Sequence, residues 1–313
     1  MPVDAAAQGI IDALSGSTPF EKMTVDEARA AVASFAGLQK PHREVSKVVD
    51  AEYPGPAGPQ KVRIYIPESG KPGSDKPLPV VVYFHGGGFI AGDLAVAEEP
   101  NRALAIDAGV IVVAASYRLA PEHPFPAATD DTFAALQWVA DSIGEYGGDA
   151  SRIAVMGDSA GGNLAAVAAQ RWRDEGRPAL SAQVLVYPVI DSTAELASRA
   201  DFKDGFVISA ADLDAFWAHY LPGPEDAENP RATPSRAASL AGLAPALVIS
   251  TEFEVARDEA EAYAAQLAAA AVPTETLRVD GLIHGTYWMS GAVPRSNEIH
   301  EAVVKFLRQR FAA

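Results

Sequence analysis

The stretch Val155-Met156-Gly157-Asp158-Ser159-Ala160-Gly161-Gly162 constrains this chain more than any other part of it. The apolar run before it, Ile153 to Met156, reads as a buried parallel strand, and the alanine-rich run after it, Gly162 to Trp172, reads as a helix. Between them stands Gly-x-Ser-x-Gly. A turn of that composition lifts the serine hydroxyl above the carboxyl end of a sheet and onto a helix N-terminus. Strand and helix then cross too closely for a Cβ at position 157 or 161. The free N–H groups of the helix start face any negative charge that develops beside the serine. A Gly/Ser turn without chemistry is the rival reading, and five residues alone do not decide between them. The strand–turn–helix context does, and makes Ser159 a candidate nucleophile.

Composition narrows the class. The 313 residues suit one large α/β domain or a core with an insertion, and 49% of them are hydrophobic. The chain has no cysteine, so it has no disulfide, no thiolate metal site and no cysteine nucleophile. A net charge of −16 repels a polyanion, which argues against nucleic acid. Met1-Pro2-Val3-Asp4 lacks the basic start and apolar run of a signal peptide. No apolar run reaches the ~18 residues that span a bilayer. The expectation is a soluble, cytoplasmic protein.

Taken in order, residues 1–45 are helical in pattern, with Ile10, Ile11 and Leu14 as one apolar stripe. Thr24 and Glu27 form a capping box that opens a second helix running towards Leu38. Val45 to Tyr53 and Lys61 to Ile66 read as an antiparallel pair at a sheet edge, flanking the link Pro54 to Pro59. Gly70 to Pro77 is a polar loop. Further strands are expected at Leu78–Phe84, Val110–Ser116, Gln183–Tyr187, Ala246–Thr251 and Glu275–Val279. Helices are expected at Glu99–Asp107, from Pro126 to about Tyr146, at Arg257–Ala271 and at Asn297–Phe311. Strand and helix alternate, which implies right-handed crossovers and a largely parallel sheet. The rhythm breaks between Asp191 and Pro230. There Phe202, Phe206, Phe216, Trp217 and Tyr220 cluster, with a helix from Ser209 to Tyr220. An insertion of ~40 residues is too long for an ordinary connection, and reads as part of a lid together with the N-terminal helices.

The strand Leu78–Phe84 ends in His85-Gly86-Gly87-Gly88-Phe89. Successive glycines after a core strand bring the backbone close to a ligand. A phosphate cradle would need a following Lys-Ser/Thr, which is missing. Beside the serine turn, the loop reads as an oxyanion hole. A serine hydroxyl also needs a base, and the base an orienting acid. Of six histidines, His284 follows the last strand at the same sheet edge as the serine. His42, His219 and His300 lie on outlying helical segments, His85 beside the glycines, and His123 in a proline-rich loop. The acid is expected after an intervening strand. Glu252, Glu254, Asp258 and Glu259 all follow Ala246–Thr251, and Asp191 follows the strand before. Spacing leaves that choice open.

Three motifs together resemble the hormone-sensitive-lipase family of α/β-hydrolases, in its bacterial carboxylesterase branch. They are His85-Gly86-Gly87-Gly88-Phe89, Gly157-Asp158-Ser159-Ala160-Gly161-Gly162, and Tyr117-Arg118-Leu119-Ala120-Pro121-Glu122 with its continuation His123-Pro124-Phe125-Pro126. The resemblance implies an α/β-hydrolase fold: a mostly parallel eight-stranded sheet, helices on both faces and a helical cap. It divides the chain into an N-terminal cap part (1–45), core (46–190), cap insertion (191–230) and core again (231–313). It implies Ser159 as nucleophile, His284 as base, and the N–H groups of Gly86, Gly87 and Ala160 as the oxyanion hole. The family's turn Asp-Pro-Leu-Arg-Asp-Glu-Gly is here Glu254-Val255-Ala256-Arg257-Asp258-Glu259-Ala260, so the catalytic aspartate position falls on Glu254. The expected reaction is hydrolysis of small, uncharged carboxylic esters, with Phe206 and Trp217 in the apolar wall and no cofactor or metal. An amidase or lactonase on the same triad, or a receptor on the same fold, are the alternatives. Pairing of two subunits through an edge strand, common in the family, remains open.

Overall fold

The computed structural model describes residues 2–70 and 76–312. Most of the polar loop expected between Gly70 and Pro77 therefore lies outside the described residues. Eight strands form a single sheet: β1 (Lys47–Gly55), β2 (Gly58–Ile66), β3 (Leu78–Phe84), β4 (Ile111–Ala115), β5 (Gly148–Asp158), β6 (Ala182–Val186), β7 (Ala246–Phe253) and β8 (Thr274–Ile283). Their spatial order is β1-β2-β4-β3-β5-β6-β7-β8. β1 and β2 run antiparallel to their neighbours at one edge, and all other pairs are parallel. The Pro/Gly-rich link is not a loop. The ladder continues through Pro54 opposite Pro59 and closes at Gly55 opposite Gly58, a tight hairpin.

The helices are α1 (Ala5–Leu14), α2 (Val25–Ser34), α3 (Glu98–Ala108), α4 (Ala127–Ser142), α5 (Ala160–Asp174), α6 (Ala197–Asp201), α7 (Ala210–Tyr220), α8 (Arg257–Ala269) and α9 (Asn297–Ala312). The Thr24–Glu27 capping box starts α2, which stops at Ser34 before a short 3-10 turn over Phe35–Leu38. The chain steps from β3 to β4 on one side and back to β5 on the other. That reversal places helices on both faces and opens a crevice at the carboxyl ends of the strands. The central strands are buried on both faces, which explains their unbroken Val/Ile/Ala runs. No helix among the described residues is long and apolar enough to cross a membrane.

One departure from the expected elements matters for the site. β8 runs to Ile283, four residues beyond its expected end, because Phe253 pairs with Ile283 after an irregularity in β7 between Thr251 and Phe253. Outside the sheet, the N-terminal segment meets the inserted segment directly. Glu21 N–H donates to Asp212 Oδ1 of α7 at 2.8 Å, and the rings of Phe20 and Phe216 lie 5.4 Å apart.

Candidate active site

The turn from β5 into α5 is as tight as its glycines require. A Cβ on Gly157 would fall 2.1 Å from Gly161 O, and one on Gly161 would fall 2.0 Å from Phe84 O. Ser159 itself adopts φ +53 and ψ −121, a conformation rare for a residue with a side chain. Its N–H donates to Val186 O at 2.9 Å, which ties the turn to β6. Strain of this kind is held only where the surroundings over-determine it, and here it aims the hydroxyl into the crevice.

Ser159 Oγ lies 2.9 Å from His284 Nε2, and Glu254 Oε2 lies 2.7 Å from His284 Nδ1. His284 follows β8 directly, and its ring packs 4.7 Å from that of Tyr187. Glu254 is fully buried, and its other oxygen accepts the Thr251 N–H at 3.1 Å. Among the described residues, the rival acids are engaged elsewhere. Glu252 accepts the Gly281 N–H at 2.7 Å. Asp258 accepts the Ser198 N–H at 2.8 Å; burial opposes its charge, but Arg257 and that N–H outweigh it and hold the carboxyl below its ordinary value. Asp191 accepts from the N–H and hydroxyl of Thr193 at 2.8 and 2.7 Å. Glu259 accepts the N–H groups of Ile190 and Asp191, both at 3.1 Å, and burial pushes its carboxyl up to about 8.

The oxyanion loop needs one correction. Gly86 N–H donates to Asp158 Oδ1 at 3.2 Å, so it is already committed. Asp158 is buried and also accepts from the Tyr83 hydroxyl; burial pushes it up to about 6. The N–H groups of Gly87 and Gly88 donate to no other described residue, and Ala160 N–H stands at the open start of α5. Beneath the loop, Tyr117 donates to His85 O at 2.7 Å and stacks on the His85 ring at 4.5 Å. Burial holds His85 below the ordinary imidazole value. His300 sits away from the site, 2.8 Å from Asp107 Oδ2.

A pocket contains Ser159 and His284 and is walled by Phe20, Phe35, Phe216, Trp217, Trp288 and Met289 among others. Trp217 of the expected wall lines this pocket. Phe206 does not. It stacks on Phe253 at the end of β7 at 5.6 Å and meets Phe202 edge-on at 5.5 Å. Aromatic density could not tell a residue facing the pocket from one facing the neighbouring segment. Phe20, Phe35, Trp288 and Met289 carry no local signal, because folding alone brings them over the serine.

A buried acid, an imidazole and a strained serine in line, beside free backbone N–H groups, define a serine hydrolase. The α/β-hydrolase fold profile matches residues 81–288. The chain is 43% identical to esterase LipI of Mycobacterium tuberculosis over 262 residues, 83% of this chain and 81% of that one. It is 42% identical to carboxylesterase NlhH of the same organism over 240 residues, 76% of this chain and 74% of that one. Among solved structures, the ester-hydrolase EH1AB1 from the metagenome of Lake Arreo, complexed with a bipyridine phosphonate derivative, superposes with a TM-score of 0.94. It is 33% identical, and the match covers 99% of this chain and 100% of that one. The chain belongs to the α/β-hydrolase family, in its hormone-sensitive-lipase-like branch, and is a serine carboxylic-ester hydrolase.

Proposed function

We propose that the protein cleaves small, uncharged carboxylic esters through an acyl-enzyme on Ser159. Ser159 Oγ attacks the ester carbonyl while His284 Nε2 takes its proton. The carbonyl electron pair becomes an oxyanion, received by the N–H groups of Gly87, Gly88 and Ala160. His284 then protonates the leaving alkoxide. Water, deprotonated by His284, releases the acid by the same route. Glu254 holds the imidazole with Nδ1 protonated and offsets its positive charge in between. Residues 1–45 and 191–230 act as a two-part cap over the crevice. The apolar lining favours uncharged acyl and alcohol groups, since burying an unpaired charge there would be costly.

The single observation that carries this reading is the continuous line from Glu254 through His284 to Ser159, at 2.7 and 2.9 Å. The neighbour that holds a phosphonate derivative suggests the test. An aryl alkylphosphonate ester should add one equivalent of mass to the intact protein, and peptide mapping should place it on Ser159. Ser159→Ala should take up none and should lose turnover of a short-chain p-nitrophenyl ester. An adduct on another residue, or retained turnover in Ser159→Ala, would overturn the mechanism.

A further inference from the structure

The glycine loop is pinned by hydrogen bonds on either side of Gly88. Gly86 is held by Asp158. Gly87 O accepts the N–H groups of Ile90 and Ala91 at 3.2 and 3.0 Å. Phe89 O accepts the Ala120 N–H at 3.0 Å, and Arg29 of α2 donates through Nε to Ile90 O at 2.8 Å. Gly88 itself forms no hydrogen bond with another described residue. It stands inside the turn that Gly87 O closes with Ile90 and Ala91, and packing bears on its outer side. A Cβ on Gly88 would fall 2.5 Å from Phe216 Cγ and 2.7 Å from both Cδ atoms, so the ring lies flat across the glycine. Phe216 is in turn backed by Phe20, while Trp217 and Tyr220 of the same helix pack on Phe89 at 5.1 and 3.9 Å.

We propose that Phe216 is a positioning residue for the oxyanion hole: its seat on Gly88 fixes the peptide planes that aim the Gly87 and Gly88 N–H groups, so helix α7 completes a site otherwise built by the core. The proposal rests on the donor set given above. Gly87 at φ +118 and Gly88 at φ +61 have no side chains to narrow their dihedrals. The turn closed on Gly87 O restricts them in part, and a ring pressed on Gly88 adds to that restriction. Donors must sit about 2.7–3.1 Å from the oxyanion, so a drift of about 1 Å is enough to cost catalysis. If Phe216 were only a wall of the pocket, its loss would change substrate fit and leave tetrahedral recognition intact.

The test uses a trifluoromethyl ketone and the matching methyl ketone. In the adduct, Ser159 Oγ bonds to the ketone carbon, the serine proton passes to His284, and the carbonyl electron pair becomes the oxyanion. Wild type should bind the fluorinated ketone at least about 100-fold more tightly. A wild type without that preference would refute the donor set itself. With the preference established, Phe216→Ala should lose about 10- to 100-fold in kcat and a similar factor of the preference, with KM changed far less. Phe216→Leu should fall between, and it carries the comparison if the alanine variant shows no cooperative melting. Phe206→Ala, which loosens packing away from Gly88, should keep the preference. Gly88→Ala should cost kcat at least tenfold more in wild type than in Phe216→Ala, because the added Cβ meets the ring only in the former. Retained preference in Phe216→Ala and Phe216→Leu, or additive losses in the Gly88 pair, would overturn the proposal.

Discussion

Replacing Glu254 with glutamine tests the acid of the triad with almost no change in shape. The structure decides how the amide sits. Glu254 Oε1 accepts the Thr251 N–H at 3.1 Å, and Oε2 faces His284 Nδ1 at 2.7 Å. In Glu254→Gln the carbonyl oxygen must stay on the Thr251 N–H, since an amide nitrogen there would set donor against donor. The NH2 group then faces Nδ1 and donates to it. That stabilises the tautomer protonated on Nε2, which cannot accept the Ser159 proton. The variant also loses the buried negative charge that offsets the imidazolium. An amide in place of the triad carboxylate costs about 10³–10⁴ in kcat, or about 4–5.5 kcal/mol in the barrier. Glu254→Asp keeps the charge but withdraws it by about 1.5 Å, one carbon–carbon bond. Its loss should be smaller, about 10- to 100-fold. The assay is kcat and KM on one short-chain ester for both variants, with melting temperatures alongside. KM should move little, because Glu254 does not touch the substrate. A Glu254→Gln enzyme within tenfold of wild type, or an equal collapse in Asp258→Asn or Asp191→Asn, would refute this reasoning.

Trp217→Ala should change the ratio of kcat/KM between short and medium acyl esters, because Trp217 lines the pocket; Phe206→Ala should leave that ratio alone, and a shift in Phe206→Ala alone would reverse the assignment. Asp258→Asn should lower the melting temperature with only a modest change in kcat, since Asp258 ties α6 to the start of α8 and complements the helix dipole; calorimetry and steady-state rates separate the two. Glu259 gives a pH dependence of stability. Burial raises its carboxyl to about 8 in the folded protein against 4.5 as the reference, with Asp191 adding to the rise and Arg199 opposing it. The folded state therefore binds more protons than the unfolded state between those values. This contribution is fully present below about pH 4.5 and is lost as pH rises through about 8. Each pH unit of the separation is worth about 1.4 kcal/mol at most. Urea melts from pH 5 to 8.5 should show a smaller decline for Glu259→Gln than for wild type, and parallel curves would argue against it.

Much of the site was legible because its signals are local. Steric crowding between Gly157 and Gly161, an apolar strand before them and an alanine-rich helix after them act within about ten residues. Ser159 could therefore be picked out from the chain as the candidate nucleophile. His284 was legible through its place after the last strand, although the strand itself reaches Ile283. Strand pairing extended β8, and no periodicity within Glu275–Val279 could show where its partner would stop.

Which carboxylate faces the imidazole, which loop N–H groups stay free and which rings line the pocket depend on tertiary structure. Five carboxylates near two strand ends were equivalent by spacing, and the family resemblance pointed to Glu254. Its carboxylate meets His284 just past the end of β7, where the strand breaks register between Thr251 and Phe253. Gly86 looked as free as its neighbours until Asp158, 72 residues away, took its N–H. Phe206 and Phe216 belong to one aromatic cluster, yet one packs against Phe253 and the other on Gly88. The physical reason is common to all three. A sequence determines which groups can donate, accept or fill space nearby, while the partner each one meets depends on register and crossings set by the whole sheet. For this protein the sequence alone determined the serine, the histidine and the class of sheet that carries them. The tertiary structure decided which acid meets the histidine, which N–H groups stay free, and which rings close over them.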